Sequence, residues 1–575
     1  MTLLWWVLGS VLVFTVAAVA LDWTGRLPAG IEVSGPFVTL RSTRLRSTLD
    51  VLAGPRRIWR AFGTVGSVAV ALLGTVMTLG VVLAAGVTIL DPGTSPVRQP
   101  TTILVVPGVN EFLPLSAAPE LVLALLVGLI VHEGGHGVLC RVEDIAIKDV
   151  GLVLAMVLPI GAFVQPDEER EGEPASWIRM FAAGPASNLV VAAVTFGLLV
   201  VCLTSITPVA GVAVGGVFTD APADGHLQRG DIITGVDGQP VGNDSDLERA
   251  LDAAGQTVEV ERADEPSITV ERRVTVVRAI GPIDLPQGAT ITAVNGTSVR
   301  TEQEFRQALS EHSVARLSTS AGVRTSPAGL SGTVAVGGGL DAGGAPAEEQ
   351  VVITSIDGRR ILDLEDLDAV LENASSDTAL DVTAYVDGAR RTYGVQPRSG
   401  PGGKLLLGIA VDPGTSGLLV TDFGVGAYPA ERYLSVLGGS GVPGERSLLG
   451  RLVTFLTLPL AALVGVAPYN FAGFLDPMTA AFTLDGPLAV LGGAAFTLAN
   501  VAYWLSWLNV QVALFNCLPL WPLDGGRILR LGGTDAAERL GVETAERVGW
   551  MVTAAVGSVL VILLLAVIFV PVVFG

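Results

Sequence analysis

Six apolar stretches of bilayer length constrain this chain before any motif does: residues 3–21, 64–90, 121–139, 180–206, 488–515 and 548–574. A hydrocarbon core takes about 20 apolar residues per helix, and every backbone polar group inside it must be satisfied within the protein. The fold class that follows is a multi-pass α-helical membrane protein with about six transmembrane helices. Composition agrees, since half of the 575 residues are hydrophobic and the mean hydropathy is +0.58. The first stretch ends in a small-residue run, Ala17-Ala18-Val19-Ala20, as a signal peptide does, but no basic residue precedes it and Trp5-Trp6 have the look of an interfacial anchor. A retained helix is expected. A seventh stretch, 448–467, carries Arg451 and Pro459.

Arginine sets the expected orientation. Arg26, Arg41, Arg44, Arg46, Arg56, Arg57 and Arg60 follow the first span, and Arg527, Arg530, Arg539 and Arg547 precede the last. Both loops should be cytoplasmic. The amino terminus is then outside, the third span runs inward, and residues 207–404 face the exterior. Parity excludes 448–467 as a lone full span, so it either lies along the outer surface, which is the favoured expectation, or pairs with a neighbour.

Net charge is −20, and it is concentrated: residues 205–404 hold 29 Asp/Glu against 16 Lys/Arg. A nucleic-acid partner is unlike such a surface. Lys148 and Lys404 are the two lysines, against 33 arginines. An acidic, lysine-poor surface suits a protein in concentrated salt and points to a halophilic source. Cys140, Cys202 and Cys517 all lie in or beside apolar segments, which implies no disulfide framework.

The acidic stretch is internally repetitive. Ile233-Thr-Gly-Val-Asp-Gly238, Ile291-Thr-Ala-Val-Asn-Gly296 and Ile353-Thr-Ser-Ile-Asp-Gly358 recur at spacings of 58 and 62 residues, each followed by an amphipathic helical pattern. A short β-run, an Asp-Gly or Asn-Gly hairpin and a helix form an α+β unit. The first unit, with Leu227-Gln-Arg-Gly-Asp-Ile-Ile233 ahead of its turn, resembles the PDZ domains of bacterial-type proteases. The later two read as degenerate or truncated, and the Gly/Ala/Ser-rich residues 320–346 read as a flexible connector.

Chemistry concentrates at His132-Glu133-Gly134-Gly135-His136, at the inner end of the third span. Histidines four apart share one helical face, so both imidazoles can reach one metal with Glu133 beside it as a base. Ionisable groups at membrane depth are costly and usually functional. A third ligand is needed, and His226 and His312 are in the exterior stretch. The candidate is Asp524, in Asn516-Cys-Leu-Pro519-Leu-Trp-Pro522-Leu-Asp524-Gly525-Gly526, where an apolar helix stops at two prolines and irregular backbone follows at the same depth. Cys140, four residues past His136, reads as a small buried residue instead of a competing ligand.

This pairing of HEGGH with LDGG resembles the site-2 protease family of intramembrane zinc metalloproteases. Gly184-Pro185-Ala186-Ser187-Asn188 and the PDZ-like insert extend the resemblance. It implies Zn2+ held by His132, His136 and Asp524, with Glu133 activating water for peptide hydrolysis in or near a substrate's transmembrane helix. It implies membrane-protein substrates in a lipid bilayer, staged (regulated) intramembrane proteolysis, and an insert that excludes untrimmed substrates. It also points to Asn516 as a substrate-backbone contact, against a plain helix–helix hydrogen bond. Asn188 is expected to tie helices together. Residues 150–167 read as a hairpin entering the membrane, broken at Pro159-Ile160-Gly161, whose edge could accept an unwound substrate strand, against an ordinary core hairpin.

The expected organisation is 1–117, amino-terminal helices and basic loop; 118–206, first core part; 207–404, insert; 405–485, linker and peripheral helix; 486–575, second core part. Two rival readings remain: a catalytically silent scaffold binding partners through the insert, and a metal transporter, which would spread its ligands along several helices.

Overall fold

A computed structural model describes residues 2–25, 27–28, 30–41, 43–90, 105–109, 113–155, 158–167, 173–280, 283–400, 404–438 and 447–574. Arg26, residues 156–157 of the expected hairpin and residues 401–403 of the expected insert lie outside them. The chain divides into two compact units: residues 1–207, 431–475 and 484–575 in one, 208–430 and 476–483 in the other.

The first unit is helical. Among the described residues, five helices are long and apolar enough to cross a membrane: Arg56–Leu90, Leu115–Val142, Pro174–Leu203, Ala494–Cys517 and Ala545–Val573. The first expected span forms the helix Thr2–Trp23, of which the part from Val11 to Trp23 counts as a shorter apolar helix. Ala118–Val142, Pro174–Leu203 and Ala494–Cys517 pack on one another as a three-helix core, and Arg56–Leu90 lies against it. Small residues let these backbones close up, as membrane helices require where lipid offers no hydrophobic drive. On Arg56–Leu90, Gly66, Val70 and Gly74 face protein while Val65, Leu72, Val76 and Leu83 stay exposed. A Cβ on Gly66 would come within 2.9 Å of Ala186 Cβ, and one on Gly74 within 2.4 Å of the Cys517 carbonyl oxygen.

The hairpin expected at 150–167 is present as Ile147–Ala155 and Leu158–Pro166. It belongs to a four-stranded antiparallel sheet in the order Ile31–Ser34, Phe37–Arg41, Ile147–Ala155, Leu158–Pro166. The basic loop therefore contributes two strands. Pro159-Ile160-Gly161 does not break the second hairpin strand; Pro159 stands opposite Leu154 and Gly161 opposite Val153, with a register shift between them that passes over Ile160.

Residues 448–467 form the helix Leu448–Thr457 and a 3-10 turn at Leu458–Leu460. Phe455 packs edge-on against Phe196 and Tyr503, and Trp507 Nε1 donates to the Leu456 carbonyl at 2.9 Å. The helix thus sits on two core helices, with Leu449 and Val453 exposed.

The second unit holds the repeats, and none is truncated. Each is one antiparallel sheet of the same strand order carrying one helix. Repeat one uses Val212–Val217, Ile232–Val236, Thr257–Arg262 and Ile268–Glu271 with helix Asp244–Ala253; repeat two uses Val274–Ala279, Thr290–Val294, Val314–Thr319 and Gly322–Pro327 with helix Glu302–Ser310. Repeat three uses Leu330–Val334, Gln350–Ile356, Leu380–Val386 and Ala389–Val395 with helix Leu364–Leu371. The three Asp-Gly or Asn-Gly turns hold both residues at positive φ, as two-residue hairpins demand. Each helix is capped by the side chain just before it, Asn243, Thr301 and Asp363.

Residues 320–346 are strand and short helix, not connector. Their glycines serve close packing: a Cβ on Gly329 would lie 2.2 Å from the Ile353 carbonyl oxygen, and one on Gly332 2.5 Å from that of Ala410. Nor is the chain after 404 a linker. It walks back across the repeats, giving Ile409–Val411 to the third sheet, Leu418–Thr421 to the second and Val425–Ala427 to the first. Buried ionic and polar ties sit at the joints. Arg272 bonds Asp422 Oδ2 at 2.6 Å and the Leu251 carbonyl at 2.6 Å, while that carboxylate oxygen accepts the Glu302 N–H at 2.7 Å. Arg360 likewise gathers the carbonyls of Thr354, His312 and Ala328.

Candidate metal centre

The helix Ala118–Val142 puts His132 and His136 on the face that meets Pro174–Leu203. Their rings stand edge to face, 4.8 Å apart, and both are buried. The site depends on missing side chains. A Cβ on Gly135 would stand 2.5 Å from Ser187 Oγ, and one on Gly184 would stand 2.4 Å from His136 Nε2 and 2.9 Å from His132 Cε1. Gly184 is the seat of the two imidazoles, a role its place in the GPASN run did not reveal.

Asp524 arrives from the far end of the sequence. Helix Ala494–Cys517 stops before Pro519 and Pro522, and a new helix, Asp524–Arg539, starts on the aspartate itself. Irregular backbone was expected at this position; Asp524 lies instead in a helical first turn, where the unsatisfied N–H groups favour a carboxylate. Gly525 and Gly526 permit the fold-back, since a Cβ on either would come within 2.4 Å of the Cys517–Trp521 backbone. Arg527 over Phe181 and Trp521, and Arg530 over Trp550, brace the new helix.

Asp524 Oδ2 lies 3.0 Å from His132 Nε2 and 3.3 Å from His136 Nε2. The donor atoms of the three residues all fall within 4.8 Å of one another, and among the described residues this is the group of such side chains fit to hold a metal ion. His136 Nδ1 lies 2.8 Å from the Met180 carbonyl oxygen. A proton on Nδ1 is thereby used on the main chain, leaving the Nε2 lone pair for a metal. Two imidazole nitrogens and one carboxylate oxygen are a zinc-type donor set that leaves a fourth position open. The residues present fit the ion.

Glu133 is half-buried beside this group, and its Oε2 accepts the Val164 N–H at 2.8 Å. His226 and His312 are on the insert, and Cys140 is buried and free in an apolar cluster. Neither histidine nor the thiol joins the group. Asn516 donates its amide to the Val512 carbonyl of its own helix at 3.0 Å. Asn188 is fully buried, and neither of its amide atoms finds a hydrogen-bond partner among the described residues. The tie between helices expected of it is made instead by Ser506, whose Oγ donates to the Ala192 carbonyl at 3.1 Å.

Residues 120–560 match Peptidase family M50. The chain belongs to that family. An uncharacterized protein of Methanocaldococcus jannaschii, MJ0971, is 25% identical over 266 residues, covering 46% of this chain and 68% of that one. The putative zinc metalloprotease Rip3 of Mycobacterium tuberculosis is 33% identical over 164 residues, 23% of this chain and 42% of Rip3. The chain thus spans less than half of Rip3. As a member of M50, with five apolar helices of spanning length, it is a membrane metalloprotease of the site-2 type.

Proposed function

We propose that this protein is an intramembrane zinc endopeptidase that cleaves peptide bonds in or near transmembrane segments of membrane-protein substrates. The observation that carries the reading is the convergence of His132, His136 and Asp524, almost four hundred residues apart in sequence, on one buried point. A zinc ion held there would supply Lewis acidity, polarising the scissile carbonyl and making water a stronger acid. Glu133 then takes a proton from water and returns it to the leaving amine. Buried surroundings of helix and sheet keep bulk water from these groups. Asn516 contacts substrate backbone through its carbonyl oxygen, its amide being committed to Val512.

A transmembrane helix hides its peptide bonds in its own hydrogen bonds, so a substrate has to unwind first. Strand Leu158–Pro166, the free edge of its sheet, is the surface on which the unwound segment adds. The PDZ-like repeats lie outside the cell membrane and admit substrates only after their ectodomains have been trimmed, which makes the reaction a late step of regulated proteolysis. The metal centre lies toward the cytoplasmic side.

Glu133→Gln tests the reading. Purified in detergent, the variant should keep wild-type zinc by elemental analysis and lose cleavage of a membrane-anchored substrate. Retained cleavage would remove Glu133 from its role; absence of zinc from the wild type would favour a silent scaffold.

A further inference from the structure

Among the described residues, strand Leu158–Pro166 pairs on one side only, with Val164 opposite Val150 and Ala162 opposite Leu152. Because the Val164 N–H goes to Glu133, it points away from the paired strand, and the two-residue period turns the Ala162 N–H the same way. Pro166, next in that series, has no N–H. The free edge therefore ends in a donor at Val164, and that donor is taken by the side chain adjacent to His132. Gly137 makes the approach possible. A Cβ there would lie 2.8 Å from Leu49 Cδ1 and 3.3 Å from Val164 Cγ2, so the bare glycine lets the Val164 side chain lie close against the helix.

We propose that the Val164 main-chain N–H is a latch for Glu133. In the resting enzyme it holds the carboxylate at the strand edge. An extended substrate segment adding to Leu158–Pro166 takes the Val164 N–H with one of its own carbonyls and releases Glu133 toward the metal centre. The inference rests on the reading of Glu133 as the base. A hydrogen bond to a carboxylate is stronger than one to a neutral carbonyl, so a single substrate carbonyl does not win the exchange. A second contact two residues away, at Ala162, has to accompany it. The ligand selected is thus an unwound polypeptide with at least two free carbonyls on one edge. A helical segment, whose carbonyls are already bonded, leaves the latch closed and the base idle.

Amide hydrogen exchange at Val164, resolved to the residue in the full-length protein in detergent, reads the latch without catalysis. Exchange should be at least about tenfold faster in Glu133→Ala than in wild type, the equilibrium worth of one charge-assisted hydrogen bond. Phe163, bonded within the sheet, should not change. Equal exchange at Val164 in the two proteins overturns the latch. Val164→Pro supplies the second measurement, because proline is tolerated where an edge N–H points outward. On a soluble peptide too short to reach both Ala162 and Val164, wild type should be slow and Val164→Pro several-fold faster; no rise overturns the proposal. Cleavage surviving in Glu133→Gln would strike the assignment of the base instead, and leaves the exchange result to decide the latch.

Discussion

His136 Nδ1 and the Met180 carbonyl oxygen are 2.8 Å apart, both buried, on two neighbouring core helices. A main-chain carbonyl cannot rotate away, so it fixes the imidazole's orientation and the nitrogen that carries the proton. The helix that supplies this acceptor also supplies Gly184, on which both rings rest. The affinity of the proposed metal site would thereby be tied to the packing of two helices as much as to His132, His136 and Asp524.

Ligand removal should empty the site. His136→Ala or Asp524→Ala is expected to purify with little or no zinc and without peptidase activity, and a chelator should inactivate the wild type until zinc is restored. Elemental analysis beside an activity assay checks both.

Gly184→Ala should behave almost as a ligand variant although it removes no donor. Its methyl would overlap His136 Nε2 at 2.4 Å. Loss of metal affinity on the order of 10–100-fold is expected, the range found when groups that orient ligands are disturbed. Zinc competition titration measures it, and an unchanged affinity would mean the rings re-seat freely.

The C-terminal end of the motif helix is fastened by Glu143, which accepts from Arg179 Nε at 2.9 Å, Arg179 Nη2 at 2.8 Å and Ser176 Oγ at 2.8 Å. Burial alone would push this carboxyl up, but its bonds to Arg179 and Ser176 and the nearby charge of Arg60 hold it below the usual carboxylate range. A depressed carboxyl stabilises the folded form above its unfolded value of 4.5, and that contribution disappears as pH falls through the lower folded value. Thermal melts of wild type and Glu143→Gln should therefore separate at neutral pH and converge as pH falls from 4.5 through the lower folded value.

In the repeats, Arg272→Ala should leave Asp422 buried without its cation. Breaking such a pair from one side costs about 3–5 kcal/mol. Protease nicking of residues 405–427 should accelerate in the variant, and replacing both residues with apolar ones of similar size should recover part of the loss.

Testing the proposed gate requires cutting at 208 and 430, not at 207 and 404. The shorter deletion would strand three edge strands without their sheets. With 208–430 replaced by a flexible linker, cleavage of substrates bearing intact ectodomains should rise relative to trimmed ones; unchanged selectivity would make the repeats a spacer or docking module.

The membrane character of the chain was legible because bilayer-length apolar runs have few other uses. Four of the five spanning helices begin and end within a few residues of their apolar runs, and the fifth extends further only at its arginine-rich start, Arg56. The three hairpins were legible because Asp-Gly and Asn-Gly leave the backbone little choice. Small residues misled. Gly329 and Gly332 look like linker in sequence and act as contact points in space, because glycine serves both flexibility and close approach. The strands at 31–41 were hidden by the arginines around them, and the returning strands at 409–427 by being only three or four residues long, too short for a period to register.

His132, Glu133 and His136 owe their arrangement to the sequence alone, since a spacing of four on a helix puts two imidazoles on one face wherever that helix lies. Tertiary structure decided everything that makes the arrangement a site. It brought Asp524 to within 3.0 Å of His132, set the Met180 carbonyl against His136 and Gly184 beneath both imidazoles, and set the Val164 N–H against Glu133. Each of these is a contact between distant segments, and several use main-chain atoms that every residue possesses. No residue type marks such an atom in advance.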